Sequence, residues 1–286
     1  MRHHYVPEFL QKPWTENSPD GKLKVFRLDI QGIPSKPHTP KYTGFDHDLY
    51  ALAQDKVAGM EKQAVEKKFL RIIDNNAARV RVKIEKVGLK SLTIEDRMDW
   101  ARFLMSLRLR QPDIVEMLKR ESTQYLKATL NENYEELAAP EDAPTLEEWT
   151  EQQYPGLIEN FGLSFFHELV DNQEIGTKIL KMKWWLWDFS EAPYDLLLSD
   201  HPCIFVHGLD DPDCVIALPI HPRKAFMATR SDEVAKIMRN QRQRDLAVRL
   251  NESSVNQARA RIYACNESPR RFIKNRLAKK TEREQI

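Results

Sequence analysis

Residues 184–218 read WWLWDFSEAPYDLLLSDHPCIFVHGLDDPDCVIAL, and this stretch decides the fold class. Its short apolar runs are each bounded by Pro, Asp, Ser or Gly, a spacing that is typical of antiparallel strands joined by turns. The runs are Trp184–Trp187, Leu196–Leu198, Cys203–Val206 and Val215–Leu218. The stretch therefore predicts an antiparallel meander in the C-terminal half of the chain.

The chain before this stretch has a helical pattern. Apolar residues between Val57 and Ile73 recur at spacings of three and four, which is the mark of an amphipathic helix. The segment Thr93–Asp96 resembles a capping box and predicts the start of a second helix. We therefore expect a helical subregion at about residues 56–178.

Strands are expected on both sides of these helices. Alternation over Leu23–Ile30, after the turn signal Asp20-Gly21, predicts a first strand. After the meander, the pattern predicts a helix at about residues 231–251 and a last strand at Ala260–Ala264. Helices first and strands later, without regular βαβ alternation, argue against a parallel doubly wound sheet.

The predicted fold class is α+β, with a mixed or antiparallel sheet and a helical insertion between the first strand and the C-terminal meander. We expect a single domain at residues 1–275, followed by a basic tail at residues 276–286. Two domains are the alternative. The acidic, proline-bearing stretch at residues 136–156 is interpreted as a loop or a boundary between subregions.

The composition argues against several classes of protein. With 41% apolar and 30% charged residues the chain fits a globular protein rather than a disordered one. The net charge of +1 gives no global field that points to nucleic acid or a membrane surface. No apolar run is as long as a transmembrane helix, and no apolar run follows the N-terminus as in a signal peptide. The three cysteines are scattered, which fits reduced thiols rather than disulfides. We therefore expect a cytoplasmic protein without a membrane partner.

Three common catalytic motifs are missing from the sequence. It has no glycine-rich phosphate loop, no GxSxG elbow and no HExxH pair. Their absence argues against a nucleotide kinase, a Rossmann oxidoreductase, an α/β-hydrolase and a zincin.

The most unusual motif is at the N-terminus, which reads His3-His4-Tyr5-Val6-Pro7. Imidazole can bind a metal or transfer a proton near neutral pH. Adjacent residues of an extended strand point to opposite faces, so we do not expect both histidines to bind one metal. One histidine could bind the metal while the other packs against the protein or supports it. The alternatives are a hydrogen-bonded histidine pair that anchors the N-terminus and a cloning remnant.

A second polar motif, Ser199-Asp200-His201-Pro202, follows an apolar run and closes a predicted strand. A carboxylate and an imidazole at a strand end suit a site on the rim of a sheet. The three polar residues are chain neighbours, so they do not form a catalytic triad among themselves. The alternative is a turn capped by Asp200.

Basic residues gather near the C-terminus, where they could contact phosphates. Among them, Arg244 and Arg249 lie on the helix predicted at about residues 231–251, and we take them as candidate phosphate-binding residues. The tail also carries Glu282 and Glu284, so a solvated helix is the alternative for that part.

The chain resembles a widespread, mostly bacterial family of unknown function with an N-terminal HHYVP signature and a later SD-x-P segment. The resemblance rests on HHYVPEFL, LKVFRLDI, LLLSDHPCIF and IALPIHPRKAF, and it spans roughly residues 3–275. This chain has His221 where that family usually has Ser, which weakens any special role for His221. The resemblance implies that one shared feature, which suggests a site, is built from His3, His4, Tyr5, Pro7, Ser199, Asp200 and Pro202.

One functional hypothesis is a metal-dependent hydrolase such as a nuclease or phosphodiesterase. Its catalytic residues would be His3, His4 and Asp200, and a divalent metal would bind to His4 and Asp200. The partner would be nucleic acid or a phosphorylated ligand. The substrate-binding residues would be Tyr5, Ser199, Arg244 and Arg249.

The second hypothesis is a non-enzymatic binding or structural protein. In this interpretation the HHYVP motif is a buried staple, whose histidines hold the first segment on the sheet and hydrogen-bond to Asp200. Histidines that share an open cleft with Asp200 would favour the enzyme, and histidines sealed from water would favour the staple. The sequence does not determine the substrate or the oligomeric state.

Overall fold

The computed structural model describes residues 1–53, 56–57, 60–136 and 143–284. Short strands come first, helices fill the middle of the chain, and further strands and helices follow. Every strand pair is antiparallel. The predicted α+β class with its helical insertion is therefore confirmed.

Two short ribbons lie near the N-terminus. Strand β1 (Arg2–His4) pairs with β4 (Phe45–His47), and β5 (Lys56–Val57) pairs with β6 (Met60–Glu61). A short helix, α1 (Glu8–Gln11), follows the HHYVP motif, and Pro7 is its N-cap residue.

One four-stranded sheet joins the two ends of the chain. Its order is β3 (Ser35–His38), β2 (Leu23–Arg27), β12 (Arg261–Ala264) and β8 (Leu198–Ser199). Strand β2 begins at the predicted residue, and β12 overlaps the predicted last strand. The sheet therefore joins the N-terminal strands β2 and β3 to the C-terminal strand β12.

The second four-stranded sheet has the order β7 (Lys183–Asp188), β11 (Lys224–Thr229), β10 (Val215–His221) and β9 (Ile204–Val206). Three of the four apolar runs are its strands, and β9, β10 and β11 form the meander. The fourth run ends in β8, which belongs to the other sheet. An apolar run signals burial in a sheet but carries no information about its partner strand.

In the residues that the structure describes, the helical insertion begins with a π-helical turn at Val65–Leu70 and continues through seven α-helices. The predicted start at about residue 56 is wrong, because β5 and β6 pair as strands there. The capping box at Thr93 is confirmed, since its hydroxyl accepts from the N–H of Asp96 and the Asp96 carboxylate accepts from the N–H of Thr93. No helix of the described ranges has the length and apolar character that crossing a bilayer requires. The seven helices are α2 (Arg71–Lys86), α3 (Ile94–Leu109), α4 (Pro112–Glu136), α5 (Leu146–Gln153), α6 (Leu157–Ser164), α7 (Phe166–Val170) and α8 (Gln173–Lys181).

Three helices lie in the C-terminal region. The segment predicted as one helix at about residues 231–251 is α9 (Asp232–Arg239) and α10 (Gln243–Gln257), and Ser231 caps the first of them. The last helix is α11 (Arg270–Glu284), which includes most of the predicted tail.

The main core lies between the helical insertion and the second sheet. Trp100 of α3 packs against Phe226 of β11, with ring centroids 5.5 Å apart, and Trp184 of β7 packs on the same phenylalanine. Trp14 is buried, and its Nε1 donates to the carbonyl of Leu196 (2.8 Å). This bond attaches the N-terminal segment to the chain that enters β8.

Gly44 allows the HHYVP segment to pack closely. Its φ is +68°, and a Cβ at this position would lie 2.7 Å from Nε2 of Gln11 and 3.0 Å from Cβ of Val6. Its carbonyl accepts from the N–H of Val6 (3.0 Å), so the two segments are in direct contact.

We expect Gly44→Ala to be more destabilising than Gly21→Ala. Both positions have a left-handed φ, but nothing lies within 4 Å of a Cβ at Gly21. The left-handed backbone costs about 1 kcal/mol in either variant, and the steric overlap at Gly44 adds about 1–3 kcal/mol. Urea unfolding of both variants measures the difference; equal losses would show that the contact of Gly44 with Val6 and Gln11 is not tight.

Candidate functional site

His3 is fully enclosed by protein. Its Nδ1 accepts a hydrogen bond from the backbone N–H of Tyr50 (2.9 Å), so in the neutral ring the proton is on Nε2. Nε2 then donates to Oε1 of Gln63 (2.6 Å). The imidazole also stacks on the ring of Tyr50, with centroids 5.4 Å apart. Neighbouring residues therefore use both ring nitrogens.

The hydrogen bonds of His3 continue to the N-terminus. Nε2 of Gln63 donates to Oδ1 of Asp48 (3.0 Å), and the ammonium of Met1 donates to the same oxygen (2.7 Å). Burial lowers the pKa of His3 and favours the neutral ring. This network holds β1 in place.

His4 lies on the opposite face of β1, as expected from strand alternation. Its ring meets the ring of Phe45 edge-on, and its Nε2 lies 3.8 Å from Oε1 of Glu8. That nitrogen is buried without a hydrogen-bond partner. The pKa of His4 is lowered, with burial as the largest cause.

The hydroxyl of Tyr50 contacts a buried cluster of polar residues. The Tyr50 hydroxyl donates to the carbonyl of Arg110 (2.5 Å), and the guanidinium of Arg110 binds the carboxylate of Asp74 (2.8 Å). Burial raises the pKa of nearby Glu66 to about 7, although the Arg110 charge opposes that shift. His3 is thus linked through Tyr50 to this buried polar cluster, whereas Tyr5 and Val6 of the same motif pack into the hydrophobic core.

Asp200 is almost fully buried just after β8. Its Oδ1 accepts from the backbone N–H of Arg259 (3.0 Å), and its Oδ2 accepts from those of Ala260 (2.7 Å) and Arg261 (2.9 Å). A carboxylate with three backbone donors is strongly held and fixes the turn that leads into β12.

Tyr5 reaches the same place from the N-terminus. Its buried hydroxyl accepts a hydrogen bond from Nη1 of Arg261, and burial raises the pKa of Tyr5 to about 12. We call Tyr5, Asp200 and Arg261 the Arg261 junction. The structure therefore brings the two sequence motifs together through Tyr5 and Asp200, whereas His3 is bonded to Tyr50 and Gln63.

The other predicted substrate-binding residues lie apart from this junction or support it. Ser199 is buried, and its hydroxyl donates to the carbonyl of His201 (2.6 Å). Arg244 and Arg249 are exposed on α10 and line neither of the two concave sites described next.

The larger concave site lies between α10, α11 and the loop before β8, and we call it the α10–α11 cavity. Its volume is about 740 Å³. The charged side chains on its wall are Asp195, Arg223, Arg271 and Arg276, and the aromatic ones are Tyr194 and Phe272.

The smaller site, of about 320 Å³, lies beside Asp200, and we call it the His201 cleft. Its wall is formed by the end of α3, the start of α4, the segment after β8 and the end of α10. Nε2 of His201 lies 3.3 Å from Oδ1 of Asp113, and Nη2 of Arg259 lies 2.9 Å from Oδ2 of Asp113. Among the side chains that the structure describes, no three His, Cys, Asp or Glu residues group as metal ligands.

Several residues of these two sites escaped the sequence analysis. In the sequence, Arg271 and Arg276 are only two of the basic residues that gather near the C-terminus, and Arg223 lies within the stretch IALPIHPRKAF without a feature of its own. Asp113 follows Pro112 at the start of a helix, where an acidic residue is expected as a helix-stabilising charge. No local pattern distinguishes it from such a residue.

Comparison with known proteins gives one match. A family model described as a protein of unknown function (DUF4238) matches residues 2–268. No curated protein and no solved structure matches the chain.

We expect Asp200→Ala to lower the free energy of unfolding by at least about 3 kcal/mol, because three buried N–H groups lose their acceptor. Asp213→Ala is the matched control, since Asp213 is exposed. Chemical unfolding followed by circular dichroism gives both values. A fully stable Asp200→Ala protein would contradict the role of Asp200 as the anchor of the turn at residues 259–261.

Proposed function

The chain belongs to the DUF4238 family, whose description gives no function, and we propose from its geometry that it binds a phosphorylated small molecule in the α10–α11 cavity. The supporting observation is a set of arginine and aromatic side chains around about 740 Å³ of space. Small-molecule sites typically measure about 300–1,000 Å³.

The charge of the cavity wall favours an anion. Nε of Arg223 pairs with Oδ1 of Asp195 (2.8 Å), and its Nη1 donates to the carbonyl of Ala192 (2.5 Å). Arg223 therefore neutralises the carboxylate on the wall and shapes the loop before β8. Arg271 is exposed and would meet a ligand directly. Nε of Arg276 lies 3.4 Å from Oε1 of Glu252, so Arg276 would meet a ligand through its terminal nitrogens.

The start of α11 adds donors to the same wall. The first N–H groups of a helix have no intrahelical acceptor, and the helix dipole gives this end a partial positive charge. Arg271 and Phe272 are the second and third residues of α11 and both line the cavity. The N–H groups of Arg270 and Ile273 already donate to the carbonyls of Glu267 and Pro269. A phosphate at this wall would therefore use the N–H groups of Arg271 and Phe272 beside the guanidinium groups.

The aromatic residues suit a ligand that also carries a ring. Phe272 is partly buried below the guanidinium of Arg276, which lies 5.1 Å from the ring centroid. Tyr194 is about half exposed on the opposite loop. A nucleoside monophosphate combines an aromatic base with a phosphate and is the ligand class that we propose.

The sealed position of His3 supports a binding protein over the enzyme built on the HHYVP motif. Its two ring nitrogens are already bonded, and Asp200 is occupied by three N–H groups. In this proposal the N-terminal motif is the predicted staple, which acts through Tyr5 and Arg261. It holds the sheet whose strand β12 leads into the cavity wall.

We expect AMP or GMP to bind, the matching nucleoside to bind more weakly, and Arg271→Ala and Arg276→Ala each to weaken nucleotide binding by about 10–100-fold. A charged hydrogen bond contributes about 1.5–3 kcal/mol, which gives that range. Isothermal titration measures the affinities, and Arg249→Ala on the exposed face of α10 is the control. Equal weakening by Arg249→Ala, or no binding of any monophosphate at millimolar concentration, would contradict the proposal.

A metal-dependent hydrolase, such as a nuclease or phosphodiesterase, is our second candidate. The observation that favours it is the pair of His201 and Asp113 on a cleft beside Asp200. The carboxylate could orient the imidazole, and the imidazole could act as a general base toward water. In this form of the hydrolase hypothesis, the general base is His201 rather than His3.

For this candidate we expect hydrolysis of bis(4-nitrophenyl) phosphate in the presence of Mn²⁺, reduced at least about 100-fold in His201→Gln, as loss of a general base implies. His207→Ala is the control because His207 is exposed. Absorbance at the nitrophenolate band follows the reaction. If the wild-type protein turns over neither this ester nor single-stranded or double-stranded nucleic acid, the candidate fails.

A further inference from the structure

We propose that the His201 cleft binds a divalent transition-metal cation through Nε2 of His201, Oδ1 of Asp113 and Oε1 of Gln111. The inference does not depend on ligand binding in the α10–α11 cavity, and it replaces the orienting contact between Asp113 and His201 in the hydrolase candidate with a cation shared by both side chains. It also differs from the sequence-based hypothesis, which assigned the metal to His4 and Asp200.

Gln111 provides the first reason. It is 1% exposed, it lines the cleft, and its Nε2 donates to the carbonyl of Leu107 (2.8 Å). That bond fixes the orientation of the amide, so Oε1 is the acceptor on the other side. Oε1 is buried without a donor. A buried acceptor without a partner costs about 1–3 kcal/mol, which a bound cation would offset.

Asp113 provides the second reason. Its side chain is only 16% exposed, and its Oδ2 is paired with Arg259. Oδ1 lies 3.3 Å from the imidazole Nε2, but no donor reaches it with hydrogen-bond geometry. Two of the three acceptors at this cleft are thus buried oxygens that lack a hydrogen bond.

The spacing of the nitrogen and the carboxylate oxygen fits a shared cation. Metal bonds to imidazole and carboxylate are about 2.0–2.2 Å long, so two ligands of one ion lie about 3.0 Å apart at a right angle and about 3.4 Å apart at a tetrahedral angle. The observed 3.3 Å between His201 and Asp113 falls within that range.

The groups around the ligands are fixed in advance. The carbonyl of His201 accepts from the Ser199 hydroxyl (2.6 Å) and from Nε2 of Gln257. Arg259 holds Asp113, and Asp200 holds the backbone of Arg259. Metal sites depend on such outer bonds, which keep the ligands oriented.

The ligand types indicate which cation would bind. One imidazole, one carboxylate and one amide oxygen suit Zn²⁺ or Mn²⁺ better than soft ions, which prefer thiolates. Three protein ligands leave a coordination position open, as in catalytic sites. Arg108, whose guanidinium lies 5.0 Å above the ring of Phe205 on the same wall, would favour an anion at that position.

The test is isothermal titration of the full chain with ZnCl₂ and MnCl₂. We expect one ion per chain, and at least tenfold weaker binding in Asp113→Asn, His201→Gln and Gln111→Leu. His4→Ala and His207→Ala are the controls and should leave the affinity unchanged. Binding that Asp113→Asn and His201→Gln leave intact, or that His4→Ala abolishes, would overturn the proposal.

A second measurement needs no variant, so it tests the proposal even if the substituted proteins do not fold. X-ray absorption of the wild-type protein loaded with one equivalent of Zn²⁺ should show a single imidazole among oxygen ligands. A spectrum with no imidazole or with two, or the absence of any binding at millimolar metal, would overturn the proposal.

Discussion

The carboxylate of Asp200 is the interaction on which the rest of the structure depends. It accepts three backbone N–H groups at residues 259–261, which fixes the start of β12 between β2 and β8. The same strand carries Arg261, which binds Tyr5 of the N-terminal motif. One buried charge therefore joins both ends of the chain, and it holds the segment that carries His201.

A buried polar or charged group is stable when its hydrogen-bonding atoms have partners. Groups that have such partners hold the fold, and groups that lack them can bind a ligand. Asp200 and His3 are filled by backbone and side-chain partners. Gln111 and Asp113 retain oxygens without hydrogen bonds, and Arg271 remains exposed. Within the HHYVP motif, His3 and Tyr5 thus hold the fold, whereas Nε2 of His4 has no hydrogen-bond partner.

Much of the fold followed from local patterns. The capping box at Thr93, the strand that begins at Leu23 and three strands of the second sheet were predicted because side-chain periodicity and turn residues act over a few positions. The partner of each strand could not be predicted in the same way, since an apolar run such as Leu196–Leu198 fits either sheet. The predicted helix at 231–251 is two helices, with Ser231 capping the first.

The sequence by itself determined the α+β class and the place of the helical insertion, and the resemblance to a family implied that the HHYVP and SD-x-P segments form one feature. Only the tertiary structure decided that this feature joins through Tyr5 and Asp200, that His3 is sealed, and that Asp113, Gln111 and His201 meet in a cleft. Periodicity and capping are local properties of the chain, whereas burial and hydrogen-bond partners depend on residues that are far apart in sequence and meet only after folding.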